Sequence, residues 1–570
     1  MNELTKTGVI LGGAVALALV AAAMGPKPIQ NDLLSDQGEV FFKDFTAAAD
    51  ASYLEVTEFS AEKSEARKFV VQRDKDGRWT IPSHGNYPAD AKERMAQAAA
   101  LVIGLKKDSC VGERIEDHVS FGVVDPLDPG ADPAGRGLRV TLKNSAGNDL
   151  ADLIVGKEAD RKMGVRYLRL PGKRRVYAAK LDGELSTKFA DWIETDLLKA
   201  SSWDIQKVTF DNYSVDEQRG AIVPGDKYVV TKDSAGKWAL EGLDAAKEES
   251  NEDRLREIGD TLGQIKIVGV RAKPEGLTAR LERANGIEAQ LLAQSLAQKG
   301  FFLDRGGKLF SNEGDLLFET KKGVRYTLRF GELVPGSGDE VTSGIAAAPK
   351  DGEKPKDGAA AAPNAPASNN RYLMVTAEFA EDLLPKPAGA RLPKEQLNKR
   401  AVARGQIEAI QRAVEAFRSK NENKLPESLA KLTEKPADGD ALLAELKKDP
   451  WEGDYQLLVT GETYVVTSFG EDKAEGGEGL AADVRSDRLP FEDELAKLAT
   501  AWEDYDRKVE EGRKEADKLT KRFGPWYYVI DQALFAKLNP KRDELVKPKS
   551  EAPATTPTPP ENGGAVLPGK

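Results

Sequence analysis

A chain of 570 residues has room for roughly three to five domains, and its balance of 40% hydrophobic to 31% charged residues is that of globular rather than disordered material. The net charge of −11 and the lack of a Lys/Arg-rich run remove the attraction that a phosphate backbone requires, so nucleic acid is excluded as a partner. A single cysteine, Cys110, excludes an intrachain disulfide and a cysteine-based zinc site, and is expected to be a small buried side chain.

The first expected element is a hydrophobic helix. Lys6 precedes an apolar run over residues 9–24, and Asp32, Asp36 and Glu39 follow it. Such a run spans about 24 Å as a helix, short for a bilayer crossing and long for a cleavable signal. Ala21-Ala22-Ala23 offers a cleavage site, but the length favours retention, with residues 1–30 as a signal anchor. The basic residue before the run and the acidic body after it place that body outside the cytoplasm. The expected location is therefore the inner (cytoplasmic) membrane, single-pass, with the bulk in the periplasmic or extracytoplasmic space.

Two modules are expected next, over 31–200 and 201–335. The segments FVVQRDKDGRWTI (69–81) and YVVTKDSAGKWAL (228–240) align without a gap, and a repeat at this long period indicates duplicated domains. Each segment predicts a β-hairpin whose second strand opens on Trp79 or Trp238, both expected in cores. A helix is expected after each hairpin, at 89–107 with Met95, Ala99, Val102 and Leu105 on one face, and at 251–265. Strands at 138–143, 152–156, 165–170, 325–330 and 372–376 complete two α+β units, the last belonging to a segment (371–390) that returns to the second module. Residues 336–370 are rich in Ala, Pro, Gly and Lys and cannot bury enough surface to order, and the tail 548–570 shares that character.

The hairpin, tryptophan, helix and the strands RYLRL (166–170) and RYLMV (371–375) resemble a bacterial family known as domain of unknown function 4340, over most of residues 30–388 and 520–547. The resemblance implies a hydrophobic anchor and, because members are often encoded beside ABC-transporter or gliding-type export components, an envelope partner.

A second pattern lies within 391–490. A helix with Ile407, Ile410, Val414 and Phe417 on one face precedes NKLPESL (423–429), Asp449-Pro450-Trp451, YVVTSFGED (464–472) and Gly476-Gly477-Glu478-Gly479. This order is similar to the globular domain of protein G, the major pseudopilin of type II secretion systems. The resemblance implies a helix packed on a small antiparallel sheet and a loop that wraps calcium. Ca²⁺ takes six to eight oxygens, and glycines let carbonyls converge on it. The ligands implied are the side chains of Asp472 and Asp483, with the carbonyl of Phe469 and the glycine segment. Lys473 stands where a glycine is usual, and Ala482 where the family often adds an acid. The processing motif of pseudopilins does not precede Gln406, so an inserted domain is expected rather than a pseudopilus subunit. The chain then returns through a helix over 491–521 and the aromatic segment RFGPWYYVI (522–530), within a closing region 491–547.

His84 and His118 are the only histidines, which argues against Ser-His-Asp and H-E-x-x-H chemistry, and no phosphate-binding G-x-x-x-x-G-K-[ST] loop is present. His84, in a PSHGN turn, is expected at the surface. The expected fold is α+β: an N-terminal hydrophobic helix, two tandem repeated antiparallel-sheet-plus-helix modules and an inserted pseudopilin-like α+β domain. The expected function is that of a non-enzymatic, membrane-anchored scaffold or adaptor, accessory to an envelope ABC-type transport or export complex. The alternatives are a type II secretion-associated component acting through its pseudopilin-like domain, and a cell-wall or glycan-binding module with Trp526 and Tyr527 as a platform. Calcium is the one cofactor expected, and the membrane and an envelope protein complex are the expected partners.

Overall fold

The computed structural model describes residues 2–23, 36–61, 64–159, 163–183, 185–194, 196–274, 287–304, 306–335, 339–343, 367–437 and 439–549. Most of the low-complexity stretch expected at 336–370, and the tail beyond 549, lie outside these residues. Inside that stretch, Asp339–Thr342 forms a helical turn, and the strand Ala367–Phe379 has already begun.

An N-terminal helix spans Glu3–Ala23, and its side chains Val9, Ile10, Leu11, Val15, Leu17, Leu19 and Val20 are exposed. Among the described residues no helix is long and apolar enough to cross a membrane, so the expected spanning segment is not found.

The body is mixed α+β, built on two antiparallel sheets. In Tyr53–Ser60, Leu54 and Val56 are fully buried while Tyr53 and Glu55 stay partly exposed, the period-two pattern of a strand with one face in a core. The first sheet runs Tyr87–Pro88, Trp79–Ile81, Glu65–Arg73, Tyr53–Ser60, Leu138–Lys143, Asp149–Glu158, Val165–Arg169, Val176–Lys180 and Ser109–Gly112. The second runs Trp238–Leu240, Lys227–Lys232, Ile205–Asp211, Asp315–Thr320, Val324–Pro335, Ala367–Phe379, Trp526–Asp531 and Gly269–Ala272. From the tryptophan strands onward the two orders correspond position by position. In both, the strand that follows the helix Lys92–Val102 or Glu252–Leu262 crosses to the far edge, Ser109–Gly112 in one and Gly269–Ala272 in the other.

The hairpin turns share their chemistry as well. Asp74 Oδ1 accepts from the N–H groups of Asp76 and Arg78, at 2.9 and 2.8 Å, and Asp233 Oδ1 accepts from the N–H of Lys237 at 2.8 Å. Gly77 and Gly236 supply the left-handed residue each turn needs, with φ of 79° and 86°. The helix Lys92–Val102 then buries Met95, Ala98, Ala99 and Val102, and Glu252–Leu262 buries Leu255, Ile258, Gly259 and Leu262. Gly259 lets its helix lie against Trp238, since a Cβ there would stand 3.2 Å from the indole ring.

One hydrophobic core serves both sheets, with Phe69 and Tyr87 of the first sheet, and Trp192, joining Trp526 and Tyr528 of the second. Tyr87 meets Trp526 edge-on at 4.9 Å. Trp238 is buried and Trp79 packs partly buried against the same core. Two sequence expectations are corrected here. His84 is buried, not at the surface, because its turn is pressed against Ala272 and Trp526 of the second sheet and its ring stacks on Phe189 at 4.2 Å. Cys110 is half-exposed, because it lies on the edge strand Ser109–Gly112, which has no neighbour on its outer side.

The inserted domain has its own core. The helix Lys394–Lys420 buries Ile407, Ile410 and Val414 against a three-stranded antiparallel sheet of Gln456–Thr460, Thr463–Ser468 and Val484–Arg485, with Phe417 packed at the margin. A second long helix, Leu489–Phe523, leads back to the body and places Ala516, Leu519 and Phe523 in the shared core.

Candidate functional site

The loop between the last two strands of the inserted domain holds the acids singled out by sequence. Ser468 pairs with Val484, so Phe469 and Asp483 are the first residues beyond the end of the ladder, and residues 470–482 form the loop they close. Gly476 and Gly477 turn the chain with φ of 114° and 82°. At Gly477 a Cβ would stand 2.1 Å from the Ala481 carbonyl, so the tight return needs glycine.

Asp483 is buried. Its backbone N–H donates to the Gly476 carbonyl at 3.0 Å, and its Oδ2 accepts from the Gly476 N–H at 3.1 Å. The other carboxylate oxygen, Oδ1, is buried with no hydrogen-bond partner. A buried polar oxygen without a partner is costly, and it is the group a hard cation would take. Asp472 is placed differently. It lies exposed, with Oδ1 accepting from the Ala474 N–H at 3.1 Å in a turn of its own. Phe469 is half-buried at the mouth of the loop. Among the described residues no three His, Cys, Asp or Glu side chains stand close enough to hold a metal together. Of the residues implied as calcium ligands, Asp483 is the one that leaves a buried oxygen without a partner.

The Asp-Pro-Trp step is structural. Asp449 Oδ1 accepts from the N–H groups of Trp451 and Gly453, at 3.0 and 2.7 Å, and its Oδ2 accepts from Ser468 Oγ at 2.6 Å. Trp451 donates its indole N–H to Gln396 Oε1 at 3.2 Å, tying this turn to the start of the domain's helix.

Sequence reasoning missed the group that holds the loop in place. Arg400, 1% exposed, donates to the carbonyls of Leu480 and Ala482, at 2.9 and 2.6 Å. Its Nε and Nη2 also form a paired contact with both carboxylate oxygens of Glu492, on the returning helix. One guanidinium thus joins the loop before Asp483 to both long helices. The acids and glycines of the loop were visible as a run. Arg400 was one cation in a helix rich in them, and its partners lie about 80 and 92 residues downstream.

The glycan-platform expectation is corrected. Trp526 and Tyr527 are 7% and 1% exposed, because the aromatic strand runs inside the second sheet between Ala367–Phe379 and Gly269–Ala272 rather than at a rim. Neither ring can stack on a sugar.

The architecture is that of a two-sheet α+β body carrying a separately cored α+β insertion. Residues 79–282 match the family described as a domain of unknown function (DUF4340), and residues 392–487 match the family described as type II secretion system (T2SS), protein G. The second match coincides with the inserted domain. A comparison with curated proteins returns no match.

Proposed function

We propose that this chain is a non-enzymatic scaffold of a secretion-related envelope complex, held at the inner membrane by its N-terminal helix, with the pseudopilin-like domain displayed on the extracytoplasmic side. The observation that carries the reading is the protein G match over a domain with its own core, gripped by a rigid helix from the body. A pseudopilin-like unit fixed in this way is suited to contact secretion subunits rather than to polymerise with them. The correspondence of strand order between the sheets supports reading the body as a duplicated module that supplies further binding surface. Calcium at the unpartnered Oδ1 of Asp483 would stiffen the loop by which the domain makes contact.

The test is affinity capture from gently solubilised membranes through a C-terminal tag, comparing the full chain, a chain lacking residues 394–488 and the Asp483→Asn variant. Secretion-system proteins should be recovered by the full chain and lost without the inserted domain. Calorimetry should show calcium binding that Asp483→Asn abolishes. Recovery of the same partners with and without the insertion, ABC-transporter subunits in particular, would move the function to the body.

A further inference from the structure

The second sheet has a face turned away from the shared core, and cations gather there that the scaffold reading does not use. The strand Trp526–Asp531 sends Trp526, Tyr528 and Ile530 into the shared core and Tyr527 to the opposite side. There Tyr527 forms a small cluster with Leu292, Leu296, Phe301 and Met374. Arg271 pairs with Tyr527 across the ladder, and Lys273, two residues on, returns to the same side. Lys299 arrives from just beyond the helix Ile287–Ala297. Both ammonium groups lie over one ring: Lys273 Nζ is 5.2 Å and Lys299 Nζ 5.4 Å from the Tyr527 centroid.

Among the described residues, their other contacts leave the charge uncompensated. Lys273 Nζ reaches the Phe523 carbonyl at 3.5 Å. Lys299 Nζ donates to the carbonyl and the hydroxyl of Ser295, at 3.1 and 3.4 Å. Asp315 is engaged by Arg329 at 3.4 Å and by the Tyr213 hydroxyl at 2.7 Å, and Glu332, whose backbone N–H donates to the Lys299 carbonyl at 2.9 Å, accepts from the Asn312 side-chain amide. Burial, and then the neighbouring Arg329, pushes Lys273 down to about 8. Lys299 is lowered by burial and then by Arg271. Charged groups drawn out of water are normally paired, and among the described residues the charged neighbours that act on the two lysines are further cations.

We propose that this face is a binding site for a phosphate group, with Lys273 and Lys299 as the ligand-contacting cations and Tyr527 as the ring that holds them side by side. Two ammonium groups with several donors each match the multiple oxygens and double charge of a phosphate, whereas a single carboxylate would neutralise only one of them. The phosphate could be free or could belong to a lipid headgroup. The chemistry recognised is the same.

The experiment uses the full chain and inorganic phosphate, titrated by calorimetry at low ionic strength, with vesicles of phosphatidylglycerol and of phosphatidylcholine as separate arms. Saturable phosphate binding near one per chain is expected, weakened tenfold or more in both Lys273→Met and Lys299→Met, with the phosphate-free melting temperature of each variant unchanged or raised. Binding to phosphatidylglycerol vesicles alone, reduced in both variants, would uphold the site and assign it to a headgroup. The N-terminal helix is present in every variant, so the difference reads the lysines. Lys273→Arg and Lys299→Arg keep the charge and should keep the affinity within about threefold. Absence of binding in every arm would overturn the proposal. So would binding indifferent to the methionine variants, or loss in the arginine variants equal to that in the methionine ones.

Discussion

His84 shows what burial between the two sheets does to one residue. Its ring stacks on Phe189, its Nδ1 meets Ser83 Oγ at 2.9 Å, and its Nε2 is buried without a partner. Burial, with a smaller contribution from the nearby Arg271, pushes it down from 6.5 to about 4. Because the folded-state value lies below the unfolded one, the unfolded chain takes up the proton first. His84 therefore costs the fold nothing above pH 6.5 and destabilises it progressively from 6.5 down to about 4, by roughly 3 kcal/mol at the end of that window. The variant His84→Phe keeps a ring against Phe189 and removes the titration. In urea melts its stability should fall less than that of the wild type between pH 7.5 and 4.5, and parallel pH profiles would show that the ring is protonated freely in the fold. The sequence could not place this residue, since a PSHGN turn looks the same on a surface and between two sheets. Asp483 was legible because its acids and glycines sit in one short run. Lys273 and Lys299 were not, because Tyr527, which joins them, lies more than two hundred residues further along the chain.

Elements were legible where periodicity ran long, and were missed where strands were short. The helices Lys92–Val102, Glu252–Leu262 and Leu489–Phe523 and the strands Leu138–Lys143 and Val165–Arg169 stand within a few residues of expectation. Ser109–Gly112 and Gly269–Ala272 are four residues each and acquire strand form only from Val176–Lys180 and Trp526–Asp531 beside them. Long helices also hide constraints that only packing reveals, as two glycines show. Gly405, on Lys394–Lys420, has nothing within 4 Å of where a Cβ would go, so Gly405→Ala should stabilise the protein by about 0.5–1 kcal/mol through helix propensity. Gly512, on Leu489–Phe523, is buried, and a Cβ there would stand 2.5 Å from the Lys322 carbonyl and 2.7 Å from the Phe379 ring. Gly512→Ala should therefore reverse the sign and cost about 1–3 kcal/mol. Denaturant melts of the two variants separate the effects, and a stabilising Gly512→Ala would mean that the helix does not press on the second sheet.

Across the whole molecule, the helix Leu489–Phe523 decides how the inserted domain is carried. Its first turns belong to the insertion. Leu489 packs against that core, Glu492 pairs with Arg400, and Asp493 with Arg404. Its last turns belong to the body, where Thr520 Oγ1 donates to the Ala377 carbonyl at 3.0 Å and Phe523 is buried. Between them, Arg391 and Lys394 on the entering chain pair with Asp506 and Glu503. The insertion is thus held by a continuous rod, which a boundary at residue 490 would cut. The sequence marked the change of family there but not the shared helix, because amphipathic spacing does not say which core each turn serves. A fragment of residues 391–490 lacks Glu492 and takes from Arg400 its ion-pair partner, a loss of roughly 3–5 kcal/mol, a large share of the roughly 5–15 kcal/mol a domain has in hand. A fragment of residues 391–507 keeps the pair and should melt cooperatively by circular dichroism, while 391–490 should not. In the longer fragment Arg400→Met should be strongly destabilised, and adding Glu492→Leu should restore most of the loss, since two apolar side chains replace a buried ion pair without leaving a charge behind. If 391–490 melts as sharply and at the same temperature as 391–507, the pair is dispensable, and the loop at Asp483 is not braced by the helix that returns to the body.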